Sequence, residues 1–87
     1  MRLLGIAENW IKDGYLLVKP SIGRPLSLLG AIIHDSNGHR IGRVVDIIGR
    51  VNDPRIVVKL DYRELGELIA IRKDPVYYSI QRKEMKR

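Results

Sequence analysis

The side chains capable of chemistry are few. His34, Asp35, Ser36 and His39 cluster in the middle of the 87-residue chain, and two imidazoles beside a carboxylate suggest a metal site at first sight. A tetrahedral site needs further ligands, and a chain without cysteine has no thiolate to add. We read these residues as flanking a turn. Ser36 has no G-x-S-x-G elbow around it to make it a nucleophile. Asp46 interrupts an otherwise apolar run. A general acid or base needs a partner group and a pocket, whereas a lone aspartate beside a bend accepts backbone N–H groups. The glycines form neither G-x-G-x-x-G nor a phosphate-binding loop. No catalytic residue, metal, cofactor or small-molecule substrate is expected.

The elements that would carry these residues read as β throughout. Leu3 to Ile11 and Tyr15 to Val18 are apolar runs separated by Lys12-Asp13-Gly14, which predicts a hairpin. Pro20 to Pro25 has the composition of a loop. A third run, Leu28 to His34, leads into Asn37-Gly38, a strong tight-turn signal. A two-residue loop there would set Ser36 against His39, Asp35 against Arg40 and His34 against Ile41, making 35 and 40 a cross-strand ion pair. Arg40 to Val51 is long for one straight strand, and its polar positions change phase: Arg43 is on the odd positions and Asp46 on the even. A bulge or bend beside Gly42 and Gly49 would account for this.

Asn52-Asp53-Pro54 predicts the next turn. Ile56, Val58 and Leu60 then alternate with Arg55, Val57 and Lys59 as an inside/outside strand. Leu68 to Ile71 reads as the last strand, with at most one helical turn in Tyr62 to Leu68. Short strands at this spacing predict an all-β fold, a small six-stranded antiparallel β-barrel. Residues 1–80 are read as one barrel domain and 81–87 as a basic C-terminal tail.

With 45% hydrophobic and 30% charged residues, the chain has the composition of a folded domain rather than of a disordered or membrane protein. Its longest apolar run, Leu28 to Ile33, is far short of the roughly 18 residues of a membrane span. Together with the missing cysteine, this gives the expectation of a cytoplasmic protein. The net charge of +6 fits life beside phosphate. Half of that excess comes from the end of the chain, where Arg82, Lys83, Lys86 and Arg87 stand against Glu84. Aromatics able to stack bases are limited to Trp10, Tyr15, Tyr62, Tyr77 and Tyr78. The adjacent Tyr77 and Tyr78 would point to opposite faces of a strand, so one of them is expected in the core or at an interface.

One pattern is more specific. Ile41, Gly42, Val44, Asp46, Ile47, Gly49, Val51, Pro54, Val58 and Lys59 form I-G-x-V-x-D-I-x-G-x-V-x-x-P-x-x-x-V-K. This resembles the core of the small basic Gar-type subunit of box H/ACA ribonucleoproteins. The flanks Gly5 to Lys19, ending G-Y-L-L-V-K, and Leu65 to Ile71, L-G-E-L-I-A-I, look like that family's outer strands.

The resemblance implies a six-stranded barrel of the translation-factor or reductase type that is not itself an enzyme. It would dock on the catalytic domain of a dyskerin-type pseudouridine synthase and help substrate RNA load and leave, meeting guide and substrate RNA through the assembled particle. It also implies a partner-binding surface at Ile48, Gly49, Arg50, Val51, Pro54, Arg55 and Val57. Gly42, Asp46, Gly49, Asn37 and Gly38 would be structural, and Arg82, Lys83, Lys86 and Arg87 would lie near RNA. The family usually has proline and an aromatic where this chain has Arg50 and Arg55, so a partner offering carboxylates or carbonyls is expected there. The ends carry no arginine-glycine repeats, so the chain looks like the shorter archaeal form; a eukaryotic member would be nucleolar. Two other readings stand beside this one. Asp35 to Ile48 also resembles the strand-turn-strand of PRC-barrel ribosome maturation domains, and a basic barrel can bind RNA directly.

Overall fold

Alternation along the strands decides what the core contains, and the strands close on themselves. The computed structural model describes residues 1–11, 13–21 and 28–80. Lys12, most of the expected loop from Pro20 to Pro25 and the four cations of the tail lie outside the described residues. Six strands form a closed antiparallel barrel in the order β1-β2-β5-β4-β3-β6. β1 (Arg2–Ile11) and β2 (Tyr15–Pro20) make the first hairpin, in which Ile11 faces Tyr15 and Ala7 faces Val18. Gly14 turns it with φ of 101°, its N–H donating to the Ile11 carbonyl at 2.9 Å.

The third apolar run is only partly strand. β3 (Ile32–His34) has three residues, because Leu28 to Gly30 form a turn that Ala31 closes by donating its N–H to the Leu28 carbonyl. The turn after β3 also differs from the two-residue loop expected. Gly38 N–H donates to the Asp35 carbonyl at 3.0 Å, Asp35 N–H donates to the His39 carbonyl at 2.9 Å, and Gly38 has φ of 87°. This is the longer loop in which a tight turn is followed by a left-handed glycine. His34 therefore pairs with Arg40, not Ile41, and the expected 35/40 ion pair does not form. Asp35 turns inward on its own loop, and Arg40 Nε donates to Asp61 Oδ2 at 3.0 Å.

β4 (Arg40–Arg50) and β5 (Asp53–Leu60) form the longest hairpin. The phase change in β4 is a bulge at Val45, between the pairs Val44↔Val58 and Asp46↔Val57, rather than at either glycine. Val44 before it and Ile47 after it both face the core, so one extra residue reverses the parity of the strand. Gly42 serves a close approach instead, since a Cβ there would run into the Lys59 carbonyl of β5. The turn is Val51-Asn52, and Asp53 and Pro54 already belong to β5, facing Arg50 and Gly49.

The main correction concerns Leu65 to Ile71, expected as an outer strand. It lies in the helix α1 (Glu64–Arg72), and the sixth strand is β6 (Pro75–Ser79). Leu65, Leu68 and Ile69 have the i, i+3, i+4 spacing of one helical face, and Glu64 and Glu67 sit in the first turn and Arg72 in the last, as the helix dipole favours. Lys73 ends the helix in the left-handed region, Asp74 N–H reaches back to the Ile69 carbonyl, and Pro75 follows. Gly66 lies against the Trp10 ring of β1, where a Cβ would strike the indole. The glycine that resembles a turn signal is a contact between helix and barrel.

Leu4, Leu16, Val18, Ile33, Val44, Ile56, Val58 and Val76 fill the interior and are fully or almost fully buried. Ile56→Ala is expected to cost about 2–5 kcal/mol in urea unfolding, the range for truncating a packed core side chain. Ile48→Ala, on an exposed position eight residues earlier, should change stability by less than about 0.5 kcal/mol. Equal costs would mean that the inside/outside assignment of this hairpin is wrong.

Candidate docking hairpin

The outer half of the β4–β5 hairpin is the one part of the described barrel that extends past its neighbours. On one side, β3 ends at the level of Val44, whose N–H donates to the Ala31 carbonyl and whose carbonyl accepts the Gly30 N–H. On the other, β5 pairs with β2 only as far as Ile56↔Val18. Val45 to Arg50 are thus bonded to β5 along one edge, and among the described residues no strand pairs with the other. Such an edge offers a row of N–H and C=O groups.

The opposite edge is blunted. Pro54 has no N–H to present, and Arg55 ties the strand down. Its Nε donates to Glu8 Oε1 at 2.6 Å, and its Nη1 donates to Asp53 Oδ1 at 2.7 Å and to the Pro54 carbonyl at 3.0 Å. Glu8 sits at the β1 bulge between Ala7 and Asn9, and β2 lies between β1 and β5, so this ion pair spans a whole strand. The Arg55 hydrogen bond holds the Asp53 carboxyl below its ordinary value, and the same bond, with that to Glu8, raises the guanidinium further.

These contacts separate the two arginines that the resemblance places at the partner surface. Arg55 commits its donors within the chain and is not available to a partner's carboxylates. Arg50 is exposed and makes no ion pair among the described residues.

The seven positions that the resemblance assigns to a partner do not share one face. Cross-strand pairing puts Ile48, Arg50, Arg55 and Val57 on the outer side of the hairpin, opposite to the core-facing Ile56. Gly49 and its partner Pro54 fall on the other side, with Gly49 at φ of 95°. Val51 stands at the tip and is 101% exposed, and further back along the same strand Ile48 and Val45 are 43% and 37% exposed. Val45 is missing from the expected set; the phase change between Arg43 and Asp46 signals a bulge, and the pairing with β5 places it at Val45.

The remaining candidates do not converge. Asp46 Oδ1 accepts the Ile47 N–H at 2.8 Å, next to the bulge. His34 Nε2 is hydrogen-bonded to Ser79 Oγ of β6 at 2.8 Å with its Nδ1 buried and unpartnered, while His39 lies in the turn with Nδ1 3.6 Å from Asp35 Oδ2. Among the described residues no three metal-capable side chains come together. A pocket of about 150 Å³ between α1 and the 35–37 turn is lined by Leu65, Leu68, Ile69 and Arg72 among others. Its charged groups are already engaged, Arg72 with Asp74 and Asp35 with its own loop. No described helix is long and apolar enough to cross a membrane.

Partial burial works against the Asp35 charge, but the N–H groups of His39 and Asn37 and the His39 ring outweigh it, so its pKa falls below 3.8. A depressed carboxylate stabilises the fold above its unfolded value and loses that contribution as the pH drops through the lower folded value. Asp35→Ala should therefore lower the melting temperature at neutral pH, and the gap to wild type should close only below pH 3.8. A gap that persisted unchanged in stronger acid would mean that the carboxylate charge does not hold the turn. Scanned against known protein families the chain matches none, and a search of curated proteins finds no match either.

Proposed function

We propose that this chain is a non-catalytic docking subunit of a box H/ACA guide ribonucleoprotein. It binds a dyskerin-type pseudouridine synthase through the β4–β5 hairpin and assists loading and release of substrate RNA during rRNA pseudouridylation. The chemistry belongs to the synthase. The motif that carries the resemblance, Ile41 to Lys59, coincides with this hairpin, and the observation that carries the reading is the fully exposed Val51 at its tip.

A valine held wholly in water, with Ile48 and Val45 exposed further along the same strand, offers a line of apolar side chains that a partner can cover. Arg50, Asn52 and Asp53 give it a polar rim. Three side chains are a small area for a stable complex, and the edge of β4 that no described strand pairs supplies the rest: a partner strand added there would gain main-chain hydrogen bonds. The bulge at Val45 shapes this edge, and the Arg55 to Glu8 bond holds it against the barrel.

The test is gel filtration with a dyskerin-type synthase in the absence of RNA. Wild type should co-elute as a one-to-one complex. Val51→Asp and Ile48→Asp should elute alone while keeping the β circular dichroism of the free barrel. Separate elution of the wild-type chain, or unimpaired co-elution of both variants, overturns the reading.

A further inference from the structure

At the other end of the same hairpin, the pairing places Arg43 directly opposite Lys59. Like charges facing each other across an antiparallel pair destabilise it, and strands normally avoid the arrangement. Here neither cation has an ion-pair partner among the described residues, although other cations do: Arg40 pairs with Asp61, Arg55 with Glu8 and Arg72 with Asp74. The two side chains border a surface depression of about 220 Å³ together with Leu60 and Asp61. The Asp61 carboxylate there is taken by Arg40.

The register extends this pair into a row. Arg43 faces Ile32 of β3, Lys59 faces Tyr15 of β2, and Tyr15 faces Ile11 of β1. Arg43, Ile32, Lys59 and Tyr15 lie on the outside of the barrel, since their strand neighbours Val44, Ile33, Val58 and Leu16 are buried, and Ile11 is itself exposed. Two adjacent cations without an ion-pair partner among the described residues, beside a half-buried tyrosine, combine a backbone-neutralising site with a stacking platform, the two components that hold a single strand of nucleic acid. An acidic protein partner would use the cations but has no use for the aromatic face at that position.

We propose that the row Arg43, Lys59 and Tyr15 is a contact site for single-stranded RNA, the two cations meeting neighbouring phosphates and Tyr15 stacking on a base. It goes beyond the docking surface and is separate from it. From Arg43 to Arg50 the strand runs roughly 23 Å at about 3.3 Å per residue, so a partner protein at the tip and RNA at the wall can be bound together. The opposed charges are then a cost to the free barrel that bound phosphate removes.

The experiment is fluorescence anisotropy of a labelled single-stranded 12-nucleotide RNA with the whole chain, over a series of salt concentrations. Arg43→Gln/Lys59→Gln should weaken binding roughly tenfold or more at about 0.1 M salt and reduce the log-log salt slope by about 1.4, two contacts at 0.7 each. Tyr15→Leu should weaken binding and leave the slope unchanged. Because the double variant relieves a repulsion, it should melt at or above wild type. Binding and slope equal to wild type in the double variant would overturn the proposal. So would a lowered melting temperature, which would make the pair a packing element, or equal loss for a polyglutamate probe with no effect of Tyr15→Leu, which would make it an acidic-protein site. Co-elution with the synthase reads the docking hairpin alone, so failure of either proposal leaves the other standing.

Discussion

Closure of the barrel is the constraint on which the rest depends. Six short strands must bend sharply to meet, and at two places the backbones approach closely enough to exclude a side chain: Gly5 of β1 against the Lys19 carbonyl and Gly42 of β4 against the Lys59 carbonyl. Bulges supply the remaining curvature. β1 shifts register against β6 at Leu4 and against β2 at Glu8, and β4 shifts against β5 at Val45. Each shift lets a strand coil while its apolar side chains continue to point inward. The result is an interior of aliphatic side chains with no buried polar or charged residue among those described.

The same geometry creates the hairpin that we assign to docking. β4 has eleven residues and β5 eight, while β3 beside β4 has three and β2 beside β5 has six. A closed barrel of short walls cannot accommodate the excess length, so it projects. A projecting two-stranded ribbon has little core to hold it, and here the Arg55 to Glu8 bond anchors one side. On the other side no described strand pairs with the edge, and the tip is apolar. That combination is a liability in an isolated protein and an advantage in one that is covered by a partner. The Arg43 and Lys59 pair at the root of the ribbon has the same logic in electrostatic form, a local repulsion that a ligand can remove.

Much of this is legible in the residues, and the failures have physical causes. Two-residue alternation identifies Ile56, Val58 and Leu60 as core, and Asp13-Gly14 locates the first turn, because both signals are local. The phase conflict between Arg43 and Asp46 announces a bulge but not its position, since any residue between them would restore the phase; the partner strand chooses Val45. The turn after β3 misleads because Asn37-Gly38 fits either a two-residue loop or a longer one, and the Asp35 carboxylate, by capping the N–H groups of Asn37 and His39, selects the longer. Leu68 to Ile71 reads as a strand only if Gly66 is a turn. What makes Gly66 helical is Trp10, distant in sequence, whose ring needs a surface without a Cβ. The exposed site is the least visible: in sequence Arg55 resembles a hand held out to a partner, and only the fold shows Glu8, 47 residues away, in its grasp.

The central proposal is that the tip of the β4–β5 hairpin and the β4 edge that no described strand pairs are where another protein binds. Amide hydrogen exchange across this hairpin, free and mixed with the synthase, tests it most directly. In the free chain the amides of Val45 to Arg50 facing away from β5 should exchange quickly while those of Ile56 and Val58 are protected, and the partner should slow the first group by orders of magnitude and leave the barrel wall unchanged. Protection of those edge amides already in the free chain, or protection by the synthase confined to another face of the barrel, would contradict it.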